Sequence, residues 1–311
     1  MKKSITLLLA LLLMTAGESF GQSTYQFLKL DVSARAAALA GSFVSNNDDP
    51  DVIFYNPAGI GLLKDNPASF SFVKLLLDIN MASLSYSTDV KNIGRIGAGV
   101  KYINYGSFTG ADDYGNITGT YNVQEVAFLA GYSNLLDKNF YYGANAEFIF
   151  SKIADRNSSA IALDVGLHYI IPSSMVDIGF SIMNAGTQMS SYYSTRENLP
   201  LDIVAGISKR MEHMPVRLSL DFHNLNENQT KFFSRLKYFT VGAEFYLSKV
   251  LTLRFGFNNQ SRQDLTIGSS AGLAGINVGL GAKISNYRFD YGFSSLGLIG
   301  AIHRITVSTT L

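Results

Sequence analysis

The chain has no cysteine and no tryptophan, and charged residues are scarce. Of its 311 residues only 16% are charged, while 47% are hydrophobic. A soluble domain usually carries about 25% charged residues. Without cysteine the chain can form no disulfide and offers no thiolate to a metal ion. The formal net charge of +1 argues against nucleic-acid binding, which needs a basic patch.

Long apolar runs are also missing. Two lysines near the start precede an apolar run from Leu7 to Leu13, which is too short for a bilayer that needs about 20 apolar residues. Small residues follow at Ser19 and Gly21, as expected before a cleavage site. We therefore interpret residues 1–21 as a secretory signal peptide. Any membrane span in the rest of the chain would have to be a β-barrel.

What the chain does contain is a repeated alternation of apolar and polar residues. Between Tyr142 and Phe150, large or apolar side chains alternate with Gly143, Asn145 and Glu147. Successive side chains on a strand point to opposite faces, so this stretch predicts a strand with one apolar face. Similar stretches recur over residues 68–311. They predict about fourteen strands, each longer than the five or six residues, roughly, that are common in soluble sheets.

A closed antiparallel barrel explains these strands best. An open sheet of this size would leave two sticky edges, whereas a barrel in lipid satisfies every backbone group. A large soluble sandwich is the alternative. Links are very short at Lys249 and Asn286, and long and polar at 108–121, 186–200, 225–237 and 261–274. Short turns on one rim and long loops on the other are typical of outer-membrane barrels of Gram-negative bacteria.

The segment 22–67 between the signal peptide and the barrel differs from both. A serine stands where it can cap a short alanine-rich helix, and polar turn residues and an Asn-Pro pair follow. We expect this segment to plug the barrel or to close one mouth as a hatch. The residues assigned to the plug are Ser33, Arg35, Asn47, Asp48, Asn56 and Pro57.

Charged residues of both signs recur on the polar faces of the strands. They could line a selective pore, or they could form a hydrogen-bonded network that replaces a core. Their roughly balanced signs favour the network. The residues are Arg95, Lys101, Glu125, Glu147, Asp164, His168, Asp177, Asp202, Arg217, Asp221, His223, Glu244, Arg254, Lys283, Arg288, Asp290 and Arg304.

Two histidines raise the question of catalysis. His168 follows Asp164 and His223 follows Asp221 on polar strand faces, and a carboxylate–histidine pair can serve acid–base chemistry. Such pairs arise by chance on any polar face, and neither a nucleophile elbow nor a zinc-protease motif accompanies them. The sequence therefore predicts no enzyme, no metal site and no cofactor.

The mature N-terminus resembles the PorV/PorQ family of the type IX secretion system. The resemblance covers the sequence YQFL at Tyr25–Leu28, SARAAALAG at Ser33–Gly41 and NPA at Asn56–Ala58, and it is closer to PorQ-like members. It implies an outer-membrane barrel related in fold to FadL-type fatty-acid transporters. It further implies a protein of a Bacteroidetes-type bacterium that acts without enzymatic activity, together with PorV-like, PorU-like and PorZ-like proteins in a cell-surface attachment complex.

Two functions remain open on the sequence. The resemblance implies an anchor that holds a partner of the attachment complex for secreted cargo. The alternative is a FadL-like transporter of hydrophobic small molecules. In either case the barrel wall contacts outer-membrane lipid, and the long loops are the surface left for a partner protein. The loop residues that we assign to partner contact are Tyr114, Tyr192, Tyr193, Phe232 and Phe233.

Overall fold

A computed structural model describes residues 23–227, 236–266 and 270–311 of the chain. The signal-peptide interpretation and the partner assignments of Phe232 and Phe233 lie outside these residues. The described chain contains fourteen strands. They are β1 Pro67–Lys74, β2 Asn80–Val90, β3 Gly94–Ala111, β4 Ile117–Asp137, β5 Phe140–Ile153, β6 Arg156–Ile171, β7 Val176–Ser190, β8 Asp202–Arg210, β9 Val216–Phe222, β10 Phe239–Tyr246, β11 Leu251–Asn258, β12 Ile276–Ile284, β13 Tyr287–Ser295 and β14 Ala301–Thr310.

The fourteen strands form one closed barrel, which confirms the predicted fold class. Each strand pairs antiparallel with its neighbours in the sequence, and β1 pairs with β14 to close the barrel. The register at this seam runs from Pro67 opposite Thr310 to Lys74 opposite His303. Closure leaves no strand edge without a partner, which is the condition for a sheet in lipid.

The side chains of the barrel are arranged with the apolar face outwards. On β5, Phe148 is 43% exposed while the adjacent Glu147 is only 6% exposed. The same alternation recurs on β11, where Phe255 faces outwards and Arg254 is buried. An exposed belt of large apolar side chains around a polar interior is the reverse of a soluble sandwich, and it matches a barrel surrounded by lipid.

The two rims of the barrel differ in their connections. One rim carries the turns 91–93, 138–139, 172–175, 211–215, 247–250 and 285–286, together with the first residue of β1 and the last of β14. We call it the short-turn rim. The other rim, which we call the long-loop rim, carries the three longest connections, 191–201, 223–238 and 259–275, together with the shorter connections 75–79, 112–116, 154–155 and 296–300. In outer-membrane barrels the short turns are periplasmic and the long loops extracellular.

One hairpin rises well above the long-loop rim. Strand β3 has 18 residues and β4 has 21, whereas β9 on the opposite side has only 7. The sequence predicted a loop over residues 108–121, and this was wrong for most of that range, because pairing continues as far as Ala111 opposite Ile117. Glycine, threonine and tyrosine fill this part of the hairpin, and both of its faces are in water, so no apolar–polar alternation marks it.

Helical structure is short and lies mainly before the barrel. The described helices are α1 Ala34–Ala38 and α2 Asn259–Asp264, with 3₁₀ turns at Gln26–Lys29, Pro50–Phe54, Pro57–Leu62 and Pro172–Ser174. No described helix has the length and apolar character that crossing a membrane requires.

Residues 23–66, which we call the plug, lie inside the barrel. The best-buried apolar side chains of the structure include Phe27, Ile53 and Ile60 of the plug, each at 1% exposure or less. They pack against inward-facing residues of the wall such as Ile103 and Ile149. The core of this protein therefore lies between the plug and the barrel wall.

Candidate functional site

The start of the plug is fastened at the long-loop rim. The backbone amide of Thr24 donates to the carbonyl of Asn198 at 3.1 Å, and the hydroxyl of Tyr25 hydrogen-bonds to Ser158. Deeper in the lumen, the ammonium group of Lys101 donates to the carbonyl oxygens of Leu28 at 2.7 Å and Leu30 at 3.2 Å. Backbone carbonyls at the end of a 3₁₀ turn bind this buried lysine. Such carbonyl groups interact favourably with a cation.

Helix α1 is bound to the wall by one arginine. Ser33 caps the helix by accepting from the amide of Ala36, as the sequence suggested. This places Arg35 so that its Nε and Nη2 atoms donate to the two carboxylate oxygens of Glu244, each at 2.8 Å. Its Nη1 atom lies 2.8 Å from Asp48, which is itself a plug residue. Fork-shaped arginine–carboxylate pairs of this kind are strong and geometrically specific.

The wall continues this pair into a ladder of alternating charge. Glu244 on β10 stands opposite Arg217 on β9 and opposite Arg254 on β11. Arg254 binds Glu244 at 2.8 Å and Asp290 at 2.7 Å. Buried charges are costly unless each is paired and hydrogen-bonded, and here they are. The charged wall residues that face α1 therefore form an interior network, the second of the two possibilities that the sequence left open.

The predicted plug residues Asn47 and Asp48 bind the same side of the wall. The side-chain amide of Asn47 donates to Asp177 at 2.7 Å. Asp48 lies 3.4 Å from Arg217, in addition to its contact with Arg35. The charge of these arginines outweighs the cost of burial and leaves the pKa of Asp48 well below its usual value.

The plug residues Asn56 and Pro57 pack on the opposite side of the lumen. The Asn56 side chain donates to the carbonyls of Val44 and Leu167 at 2.8 and 3.1 Å and accepts from the amide of Ala58. The wall here is glycine: a Cβ atom on Gly166 would lie only 2.0 Å from the Asn56 side chain. A glycine on the polar face of a strand therefore indicates that the plug approaches the wall closely there. This signal was present in the sequence but did not enter the prediction.

The carboxylate of Asp51 in the plug is buried and forms no ion pair with any described residue. Asp51 accepts from the hydroxyls of Ser69 at 2.9 Å and Ser85 at 2.7 Å. Burial, followed by the nearby charge of Asp49, raises the pKa of Asp51 to about 7. The plug therefore contains a group whose charge changes near neutral pH.

The two aspartate–histidine pairs suggested by the spacing are not formed. His168 lies 3.2 Å from Asp177 on the neighbouring strand, and His223 lies 3.6 Å from Asp202. Asp164 instead accepts from the amide of Asn184 at 2.8 Å. Residues two or four apart on a strand share a face, but their polar atoms need not meet. In the described ranges no group of three or more acidic or histidine side chains could hold a metal ion.

A cavity remains between the plug and the wall, with a volume of about 80 Å³. It is about half the size of an engineered apolar cavity of about 150 Å³ that binds benzene. Its lining is mixed, and exposed Lys29 places one side of it near the long-loop rim. The lining includes apolar Leu28, Leu30, Phe54, Ala127, Leu129, Met183 and Val204 and charged Lys29, Asp31, Lys101, Glu147, Asp202 and Asp221.

The residues assigned to partner contact are placed differently from one another. Tyr114, at the tip of the β3–β4 hairpin, is 91% exposed, and Tyr193 is 70% exposed. Tyr193 also lies under the guanidinium group of Arg156, at 4.8 Å. The hydroxyl of Tyr192 hydrogen-bonds to Ser151 on the inner side of the rim, so this tyrosine is partly buried. The described members of the set are therefore not one continuous surface.

The backbone is similar to solved outer-membrane barrels of the FadL type. A FadL homologue from Pseudomonas aeruginosa aligns with a TM-score of 0.55 and 8% identity, over 90% of this chain and 98% of that one. The toluene transporter TodX of P. putida aligns with a TM-score of 0.55 and 12% identity, over 90% and 98%. CymD, a monoaromatic hydrocarbon channel, aligns with a TM-score of 0.53 and 12% identity, over 90% and 97%.

No family model and no curated protein sequence matches the chain. At identities of 8–12% the structural similarity shows a shared fold only. The ligands named for these neighbours are properties of those proteins. The chain has the fold of a FadL-type, fourteen-stranded outer-membrane barrel with its N-terminal segment inside.

Proposed function

We propose that the protein is an outer-membrane channel for small hydrophobic molecules, with the plug as its gate. The observation that carries this proposal is the apolar inner surface beside the cavity. On the tall side of the barrel, inward-facing Ile103, Ala127, Leu129 and Ile149 are buried against the plug. Apolar side chains of the plug cover this wall at present, so a movement of the plug would uncover an apolar surface that a hydrophobic molecule could contact. The FadL-type fold supports the same function.

The plug has to move for such a molecule to pass. The present cavity is smaller than one that holds a single benzene ring. The plug is also joined to the wall by polar contacts that can re-form, such as those of Lys101 and Arg35. Displacing the plug toward the short-turn rim would join the cavity to the apolar wall and open a route.

A reversible bridge between plug and wall tests this proposal. Ser208 on β8 donates to the backbone carbonyl of Ser45 in the plug, so cysteines at these two positions can be joined by a short cleavable thiol reagent. The chain has no cysteine of its own to interfere. Uptake of radiolabelled toluene and of radiolabelled oleate is measured in cells whose only copy of the gene is the Ser45→Cys, Ser208→Cys variant.

We expect the bridge to abolish uptake of at least one probe and reduction to restore it. The single variants Ser45→Cys and Ser208→Cys, treated with the same reagent, should keep the uptake of the unmodified protein. Uptake that is the same in the bridged protein, or in cells lacking the gene, would refute the channel proposal.

A second candidate function is favoured by the tall hairpin. It is the anchoring of a surface protein in a type IX attachment complex, as the N-terminal resemblance implies, with PorZ-like, PorU-like or PorV-like partners in a Bacteroidetes-type outer membrane. Beyond the rim, Phe108 stacks on Tyr121 at 5.6 Å between ring centroids, and Tyr114 and Ile117 are more than 70% exposed. Rigid aromatic groups beside polar neighbours suit contact with a protein.

Shortening the hairpin separates the two functions. Deletion of residues 107–121 with a two-residue turn in their place leaves the membrane-spanning part of β3 and β4 intact. Loss of cargo from the cell surface, with normal toluene uptake, would support the anchor. Normal surface cargo in this variant and in a gene deletion would refute it. Replacing only Tyr114 by serine provides the milder variant, and the folded band on unboiled gels shows that the barrel still forms.

A further inference from the structure

Two adjoining cavities open at the short-turn rim, on the side of the plug away from the long loops. One of about 510 Å³ lies between Lys64 of the plug and the β12–β13 turn, and one of about 540 Å³ lies beside the β10–β11 turn. Asp48, Lys283 and Arg288 line both. Each cavity has the size of a small-ligand site, about 300–1,000 Å³. Together they form an elongated concave surface.

The charges at this mouth are not balanced as they are deeper in the lumen. Lys283 on β12 stands directly opposite Arg288 on β13, and both lie on the inward face. Like charges directly opposite one another destabilise a sheet. Arg288 uses Nε for Asp290 and Nη2 for Asp49. Its Nη1 atom and the ammonium group of Lys283 have no hydrogen-bond partner among the described residues.

Other cations lie around the same cavities. Exposed Lys249 lines one of them and exposed Lys64 the other, and neither forms an ion pair within the described ranges. Of the lining carboxylates, Asp48 and Glu244 are already bound to Arg35, which leaves Asp65. The three lysines therefore present positive charge that Asp65 only partly compensates, and Arg288, which is paired with Asp49 and Asp290, adds one free N–H group. We call the set Lys64, Lys249, Lys283 and Arg288 the basic mouth.

We propose that the basic mouth binds an acidic peptide segment of a periplasmic protein. The carboxylates of an extended peptide would bind Lys249, Lys283 and the free Nη1 of Arg288 in the two adjoining cavities. The position of these cations favours a water-borne chain over a lipid headgroup. Lys283 and Arg288 point into the mouth, whereas the adjacent Ile284 and Phe289 are the side chains on the lipid face. This site is independent of what crosses or anchors to the barrel.

Charge removal at the exposed lysines tests the site. The probe is fluorescein-labelled octaglutamate, and its binding to the purified protein in neutral-lipid nanodiscs is measured by fluorescence anisotropy. The Lys249→Gln, Lys283→Gln variant should bind it about ten-fold more weakly, since the two lost charges act at a partly exposed surface. Raising salt from 0.1 to 1 M, which shortens the Debye length from about 10 to about 3 Å, should weaken binding to the unmodified protein as well.

The matched control removes two lysines from the opposite rim. Lys152 and Lys237 are exposed near the long loops, and the Lys152→Gln, Lys237→Gln variant should bind octaglutamate as the unmodified protein does. An octaglutamine peptide should not bind. The proposal is overturned if both double variants bind alike, or if octaglutamate does not bind at all. It is also overturned if the mouth variant leaves peptide binding unchanged and alters only the retention of anionic phosphatidylglycerol in a second set of nanodiscs that contain this lipid.

Discussion

Glycines let the plug approach the wall closely on both sides of the lumen, but only one side also binds the plug through charge. On the side of β9–β13, the wall binds helix α1 through charge, with Arg35 joined to both oxygens of Glu244 at 2.8 Å. On the side of β4–β6, the contacts of the Asn56–Pro57 turn are uncharged. There the plug backbone approaches the wall so closely that a Cβ on Gly143 would lie 2.5 Å from Pro57. We call these the charged side and the glycine side.

The difference teaches what each side contributes. A buried ion pair adds little net stability compared with apolar packing, but removing one partner is costly, because a charge is left buried and alone. The charged side therefore selects one position of α1, because any other position would leave these buried charges unpaired. The glycine side depends on shape, because a missing side chain makes room for a backbone. It determines how closely the turn approaches the wall.

The largest effect should come from breaking the charged side. Glu244→Gln keeps the shape of the side chain but leaves Arg35 and Arg254 without the carboxylate that joins them. Removing one partner of a buried ion pair costs about 3–5 kcal/mol, and we expect the low end of that range because Arg35 keeps Asp48 and Arg254 keeps Asp290. We expect the urea midpoint of the variant, read from the folded band on unboiled gels in lipid vesicles, to fall accordingly. Protease should also cleave the plug faster.

The control for this prediction is a glutamate outside the network. Glu212 is exposed in the β8–β9 turn, so Glu212→Gln should leave both the urea midpoint and plug cleavage unchanged. Equal midpoints for the Glu244 and Glu212 variants would mean that the charged side does not hold the plug.

Most of the barrel could be predicted from the sequence because its signal is local. Alternation with period two marks each strand that crosses lipid, as on β5, where Glu147 is buried beside exposed Phe148. The signal disappeared in the tall hairpin, since Phe108 and Tyr121 there pair in water with no apolar side to detect. Alternation reports the surroundings of a strand, so it ends where lipid ends and not where the strand ends.

The contacts of the plug could not be predicted in the same way. The plug motif identified Arg35 and Asn56, but their partners lie 209 and 111 positions away along the chain. The alternation predicts that Glu244 faces the lumen, but it does not predict which residue Glu244 contacts. The inward glycines were the available sign, because Gly166 has no side chain where one would strike Asn56.

A smaller effect should follow from a change on the glycine side. Gly166→Ala places a methyl group 2.0 Å from the side-chain oxygen of Asn56 and close to Pro57. The turn has to shift and lose hydrogen bonds, at a cost of about 1–3 kcal/mol, which is typical of overpacking. The urea midpoint should fall by less than in Glu244→Gln, and protease should reach the turn before it reaches α1.

A matched alanine on the same wall gives the control. A Cβ on Gly97 would meet the ends of the Ile53 and Ile60 side chains at 3.0 and 3.3 Å, and these can rotate away. Gly97→Ala should therefore cost less than Gly166→Ala. If the two variants lose the same stability, close approach of the plug backbone is not what the glycine side provides.

A further effect should be a dependence on pH at Asp51, which lies between the two sides. In the folded protein, burial and then the charge of Asp49 raise the pKa of Asp51 to about 7, whereas an unfolded aspartate has a pKa of about 3.9. A raised pKa means that the folded state binds the proton more tightly. The stabilisation is complete below about pH 4 and is lost as the pH rises through about 7.

The unmodified protein should therefore have a lower urea midpoint at pH 8 than at pH 5. Asp51→Asn cannot ionise and can still accept a hydrogen bond from Ser69 or Ser85, so it should reduce this difference and be the more stable protein at pH 8. Both serines can donate to Asp51 whether or not it is charged, so the change with pH comes from the charge itself. If the midpoints of the variant change with pH as much as those of the unmodified protein, another group is responsible. In that case Asp51 does not change its charge near neutral pH in the folded protein.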